Sequence, residues 1–244
     1  MTDGRCYRNG RGDMMKTIGL IGGMSWESTV TYYQVINETI KKQLGGLHSA
    51  KCILYSVDFD EIEKYQASGE WDKSADVLSE AAQALERAGA DYIVICTNTM
   101  HKVTPEIGRR IHIPILHIAD MTAVQLKKHG IRKVGLLGTK YTMQQDFYKN
   151  ILIEQGIEVL IPNDAGVDIV NRIIYDELCL GKILEESKAV YLDIIHELAR
   201  NGVQGIILGC TEIGLLIQQS DTDIPLFDTT LIHAKQAALK SLER

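Results

Sequence analysis

Residues 89–99 read GADYIVICTNT and residues 202–213 read GVQGIILGCTEI. Each is a glycine, a short apolar run without polar alternation, and a polar turn. Such runs fit strands buried on both faces, as in parallel sheets covered by helices. Aligning Ile93-Val94-Ile95 with Ile206-Ile207-Leu208 sets Thr97 opposite Cys210 and Asn98 opposite Thr211.

Two further pairs lie outward of these. KTIGLIG at 16–22 resembles RKVGLLG at 132–138, and IPILHIADMTA at 113–123 resembles IPLFDTTLIHA at 224–234. The three pairs keep the same order, and the turn residues match as well as the strands. Two copies of one α/β unit explain this better than the common likeness of buried strands.

The remaining periodicities fill in the pattern. Strands are expected at 16–21, 51–57, 91–95, 132–137, 158–161, 203–208 and 224–227, with a further extended stretch at 113–116. Helices are expected at 26–44, before the Gly45-Gly46 stop, and at 74–88, where Ala75, Leu78, Ala82 and Leu85 share a face. Others start near 99, near 142 and after Cys210, two cover 167–200, and the last runs from about 229. Alternating strands and helices predict an α/β fold of two pseudo-symmetric lobes, each a parallel sheet flanked by helices, with the active site in the cleft between them. Lobe 1 is expected to hold 14–115 and about 228–244, and lobe 2 to hold 116–227.

Residues 1–13 carry no apolar block and read as a disordered extension rather than a secretory signal. The Arg-Gly-Asp triplet at 11–13 matches an adhesion motif by chance. A net charge of −6 offers no basic surplus for a nucleic-acid backbone, so no nucleic-acid partner is expected. No apolar run is long enough to span a bilayer, so no membrane partner is expected either. The five cysteines form no C-x-x-C pair, which suits reduced thiols in a cytoplasmic protein. The seven histidines lack H-E-x-x-H spacing, and no metal site is expected. The glycines at 19, 22 and 23 match neither nucleotide-loop pattern and read as a tight turn presenting the Met24 and Ser25 amides.

Ligands of open α/β sheets bind beyond the carboxyl ends of the strands, where helix N-termini offer N–H groups to a carboxylate. Thr97 and Cys210 both follow a strand and precede a helix. One proton-handling group on each side of a small anionic substrate suits stereoinversion at a carbon acid. Cys serves as the base, its pKa expected to fall at a helix N-terminus. Thr stays protonated without assistance and serves better as the donor. Cys96, closing a buried strand, and Cys179 read as core residues. His101, one helical turn after Thr97, either polarises the site or packs. His117 and His233 fall in related repeat positions and read as packing residues first, with a place near the cleft as the alternative.

The motifs Cys96-Thr97-Asn98-Thr99-Met100-His101 and Gly209-Cys210-Thr211-Glu212 carry a specific resemblance. With Gly22-Gly23-Met24-Ser25-Trp26 and the Asp58-Phe59, Gln66, Gly69, Trp71 segment, they make the chain similar to the aspartate/glutamate racemase family from Lys16 to about Leu242. The string is most like the enterobacterial branch, described as specific for L-aspartate and L-glutamate or as of broad specificity, with Thr in place of the first catalytic Cys. The resemblance implies Thr97 and Cys210 as the catalytic pair, and substrate contacts at Met24, Gln66, Asn98, Thr99, Thr211 and Glu212. It implies a cofactor-independent isomerase, free of pyridoxal phosphate, that racemises a small amino acid, aspartate or glutamate, with L to D favoured. It also implies a homodimer. Two alternatives stay open: a hydantoin racemase, maleate isomerase or arylmalonate decarboxylase of the same superfamily, and a catalytically silent amino-acid-binding protein.

Overall fold

The computed structural model describes residues 15–243; the expectations for 1–13 lie outside the described residues. Two parallel sheets organise the chain. In the first, β1 (Ile18–Gly22) sits between β2 (Cys52–Ser56) and β3 (Tyr92–Ile95). In the second, β4 (Lys133–Gly138) sits between β5 (Glu158–Leu160) and β6 (Ile206–Gly209), and β7 (Leu226–Asp228) pairs with β6. The stretch at 113–116 forms a single bridge, Ile115 to Ile93, at the position β7 holds in the second sheet. Both sheets thus repeat one strand order, all parallel. The buried Ile and Leu of β1 and β4 account for the continuous apolar runs.

Helices make every crossover, as parallel pairing requires. The first unit uses α1 (Trp26–Leu44), α2 (Phe59–Ser68), α3 (Trp71–Arg87) and α4 (Thr104–Gly108). After α5 (Ile118–Lys128), the second uses α6 (Lys140–Gln144), α7 (Asp146–Glu154), α8 (Asp164–Asp176), α9 (Glu185–Arg200) and α10 (Ile213–Leu216). The chain closes with α11 (Thr229–Ser241).

The helix expected from 99 divides into a 3-10 turn, Thr99–Val103, and α4, with Pro105 in the first turn of α4. The helix expected from 142 divides too, because Gln145 is extended between α6 and α7. Helix α2 shows little apolar periodicity, with only Ile62 and Gln66 buried; Asp58 caps its start and Gly69, in the left-handed region, ends it.

The helix that follows each sheet packs with the other unit. Ile118, Ala119, Ala123 and Leu126 of α5 join the core of the second sheet. Ala234, Ala237 and Ala238 of α11 join the core beside Ile18, Leu20, Tyr32 and Ile36 of the first. One pair of contacts displays the repeat directly. Tyr148 donates its hydroxyl proton to Thr122 at 3.1 Å in the second unit, and Tyr32 meets His233 Nδ1 at 2.8 Å in the first. By the sequence alignment Tyr32 corresponds to Tyr148 and His233 to Thr122.

Candidate active site

The carboxyl ends of both sheets open into one cleft, and its lining includes both Thr97, beyond β3, and Cys210, beyond β6. It holds about 370 Å³ of atom-free space counted to its mouth. The turn after β1 supplies Met24 and Ser25. That turn needs glycine: Gly23 has φ of 94°, and a Cβ there would lie 2.2 Å from the Val57 carbonyl oxygen. Thr99 and Thr139 meet across the cleft at 3.3 Å, joining the two units.

Glu212 is the hub of the Cys210 side. The Cys210 thiol donates to its Oε2 at 2.9 Å, and Thr211 Oγ1 donates to the same atom at 2.6 Å. Ser25 Oγ donates to Oε1 at 2.9 Å, bringing a group from the first unit onto the same carboxylate. Burial, and then the charge of Glu212, push the Cys210 thiol well above its usual pKa. This corrects the expectation that a helix start would lower it: α10 has four residues and a short dipole, and the nearest charge is negative. The thiol is therefore protonated at rest and hydrogen-bonded to the carboxylate.

Of the residues singled out from the sequence, Met24, Gln66, Thr97, Thr99, Cys210, Thr211 and Glu212 line the cleft. Asn98 does not: its amide donates to Thr229 Oγ1 at 3.0 Å behind the wall. Cys96 is fully buried on β1's apolar side, its thiol pKa raised by desolvation. Cys179 lines the cleft, contrary to its reading as a core residue, and burial pushes its thiol up to about 12.

His117 and His233 pack rather than line the cleft. They form a buried cluster behind Thr97 with His101, whose ring lies 4.6 Å from that of His117 and 5.6 Å from that of His233. The cause is the helix exchange: His117 caps α5, accepting from Ala119 N at 3.2 Å, and His233 rides on α11. Burial holds His101 and His117 below the usual histidine pKa and His233 down to about 3. Among the described residues no group of His, Cys, Asp and Glu is arranged to hold a metal ion.

Sequence reasoning gave no site role to Phe59, Thr139, Ile174 or Tyr175, all in the lining. Thr139 had a signal, since it follows RKVGLLG as Gly23 follows KTIGLIG. Ile174 and Tyr175 come from α8, whose inward face only the tertiary packing defines. The lining residues include no Lys, Arg or His; their polar groups are hydroxyls, the Gln66 amide, the thiols of Cys179 and Cys210 and the Glu212 carboxylate. A second recess, lined by Glu63, Lys140 and Tyr141, shares Tyr175 with the cleft but lacks both Thr97 and Cys210. Between the two, Tyr141 donates to the Gln66 carbonyl at 3.2 Å, and its ring stands edge-on to Trp71 at 5.2 Å.

Residues 21–237 match the family described as Asp/Glu/Hydantoin racemase. A Bacillus subtilis protein, the broad specificity amino-acid racemase RacX, is 25% identical over 231 residues, which covers 89% of this chain and 95% of its own. A Yersinia pestis structure proposed to be an Asp/Glu racemase is 59% identical, with a TM-score of 0.89 over 94% of this chain and all of that one. An aspartate racemase homologue from Pyrococcus horikoshii is 39% identical, with a TM-score of 0.81 over 94% of this chain and all of that one. A Picrophilus torridus aspartate racemase, at 24% identity and a TM-score of 0.72, shares the fold. No helix of the described residues is long and apolar enough to cross a membrane.

Proposed function

The chain belongs to the Asp/Glu/hydantoin racemase family, and we propose that, as an amino-acid racemase of that family, it inverts the α-carbon of a small amino acid with Cys210 and Thr97 as its two proton-handling groups and no cofactor. The observation that carries this reading is the placement of both residues beyond equivalent strands, β3 and β6, of two sheets that share one cleft. Aspartate and glutamate are the substrates that the relatives' names suggest first.

The geometry supports a definite sequence of transfers. Cys210 passes its thiol proton to Glu212, 2.9 Å away, and becomes a thiolate. The thiolate takes the α-proton of the L enantiomer, leaving a carbanion at Cα. Thr97 gives its hydroxyl proton to the opposite face; the resulting alkoxide regains a proton from solvent, and Glu212 releases to solvent the one it took from Cys210. In reverse, Thr97 must remove the proton, which an unassisted hydroxyl does poorly. The free energies of two enantiomers are equal, so kcat/KM is the same in both directions. The difference between Cys and Thr therefore falls on kcat and KM together, with the higher kcat from L to D.

The test is α-proton exchange followed by NMR in heavy water, with L- and D-amino acids. L substrate should take up deuterium with retention at Cys210 as well as with inversion, and faster than D substrate. Thr97→Ala should keep the retention exchange and lose inversion. Cys210→Ala should lose both, and full exchange in that variant would overturn the mechanism. Hydantoin or maleate turnover without amino-acid exchange would move the chain to another activity of the superfamily. Ligand-induced stabilisation without any exchange would make it a binding protein.

A further inference from the structure

We propose that His101 is a positioning residue for Thr97, holding its backbone carbonyl through the imidazole Nδ1–H and so fixing the hydroxyl for the inversion step. The inference rests on the two-residue reading above and adds a residue to it.

The carbonyl of Thr97 has an unusual partner. The 3-10 winding of Thr99–Val103 sends the His101 backbone N–H to the Asn98 carbonyl at 3.1 Å. No backbone N–H of the described residues reaches the Thr97 carbonyl. The His101 side chain meets it instead, Nδ1 to O at 2.8 Å. A carbonyl can only accept, so Nδ1 carries the proton. The other nitrogen, Nε2, is buried and without a partner among the described residues. A buried imidazole with one open nitrogen is a cost that packing alone does not explain.

The other unit supplies the control. There the equivalent carbonyl, that of Cys210, accepts from the Ile213 backbone N–H at 3.2 Å. The residue aligned with His101 is Gly214, so no side chain takes part. A Cβ at Gly214 would lie 2.6 Å from Asp228, which aligns with His117, so the glycine faces the same neighbour that His101 faces in the first unit. The two halves therefore hold their reactive residues differently. The thiol half has Glu212 on its side chain and an ordinary backbone bond on its carbonyl. The hydroxyl half has no carboxylate in the place of Glu212, where Thr99 stands, and a dedicated imidazole on its carbonyl.

The surroundings keep that imidazole in one state. Burial first, and then His117 and His233, lower its tendency to protonate. His233 is itself fixed, Nε2 donating to the Leu116 carbonyl at 2.8 Å and Nδ1 facing the Tyr32 hydroxyl. A neutral His101 with its proton on Nδ1 gives the Thr97–Asn98 peptide one orientation. A misplacement of about 1 Å at a reacting group can cost ~10²-fold in rate.

The test uses two amides of different reach. In His101→Asn the amide nitrogen can occupy the place of Nδ1; in His101→Gln it falls near that of Nε2. His101→Asn should keep inversion within about 3-fold of wild type, and His101→Gln should lose roughly 10-fold or more in kcat with KM little changed. The deuterium uptake of L substrate with retention, which needs Cys210 but not Thr97, should survive in both. Thermal melts show whether each variant folds. Equal inversion rates for Asn and Gln overturn the proposal. So does a parallel loss of retention exchange and inversion, or a folded Asn variant that cannot invert. Absence of any exchange in wild type would instead overturn the racemase mechanism beneath it.

Discussion

The Cys210 thiol and the Glu212 carboxylate stand 2.9 Å apart, donor to acceptor, two residues apart in sequence and on the same wall of the cleft. Burial first, and then the charge of that carboxylate, hold the thiol well above its usual pKa, so the base role proposed for Cys210 needs a proton acceptor, and Glu212 is the one within reach.

Replacing Glu212 by Gln keeps its shape but leaves one accepting oxygen, for Ser25 or for Thr211 and Cys210, and removes the proton acceptor. The kcat for L substrate should fall by ~10²-fold or more, the scale of one general base. Steady-state kinetics beside circular dichroism would check it. Near-normal kcat in a folded protein would rule out the relay.

The histidine cluster makes stability depend on pH. His233 has its pKa lowered by burial to about 3, from an unfolded value near 6.5. Between those values the unfolded chain binds the extra proton, so stability rises with pH there and is lost as pH falls from about 6.5 toward 3. The slope from this group alone is ~1.4 kcal/mol per pH unit. His101 and His117, also lowered, act in the same direction. Urea midpoints from pH 7 to pH 4 should drop steeply in wild type and less in His233→Asn. Parallel slopes in both proteins would refute the assignment.

The tight turn before Ser25 should tolerate no side chain. Gly23→Ala puts a Cβ 2.2 Å from the Val57 carbonyl oxygen at a φ of 94°. A loss of ~2 kcal/mol or more is expected, from strain at positive φ and the backbone clash together. Because the turn presents Ser25 to Glu212, KM should change as well as stability. Denaturant unfolding and substrate titration of the same variant measure the two; an unperturbed melting curve would count against the geometry.

Tyr141 ties the two units together beside the cleft. Its hydroxyl donates to the Gln66 carbonyl, its ring meets Trp71, and Lys102 Nζ sits 3.7 Å from the Trp71 ring centroid. Tyr141→Phe removes one hydrogen bond between the units, worth ~1 kcal/mol. With Gln66 held less firmly in the cleft wall, substrate should leave faster, raising KM by a few-fold with kcat for inversion little changed. An unaltered KM would show that this contact does not help to hold substrate.

How much of this could be read from the chain alone depends on whether local pattern or tertiary packing decides each feature. The two sheets follow from runs such as 93–95 and 206–208, because buried parallel strands need nothing but apolar side chains. The pairing of Thr97 with Cys210 in one cleft follows from the repeat. Helix α2 escaped notice because its buried side is two residues wide. Asn98 seemed a substrate contact from its motif, yet the amide is turned to Thr229, 131 residues away in sequence. The raised pKa of Cys210 was out of reach for the same reason: desolvation belongs to the folded site, and a helix start in the sequence does not reveal that the helix is only one turn long. His117 and His233 aligned with nothing chemically similar in the other repeat, Asp228 and Thr122, and that mismatch was the one available hint of a cluster peculiar to one half.

The exchange of α5 and α11 between the two cores has a bearing on how the chain can be divided. A cut between α5 and β4 would not release two miniature proteins, although the units are repeats. The first half would carry α5 away from the core it fills, and would itself lack the row of alanines on α11 that covers Ile18, Leu20 and Tyr32. Each fragment should therefore fold only in the company of the other, because each carries the helix that covers the other's core.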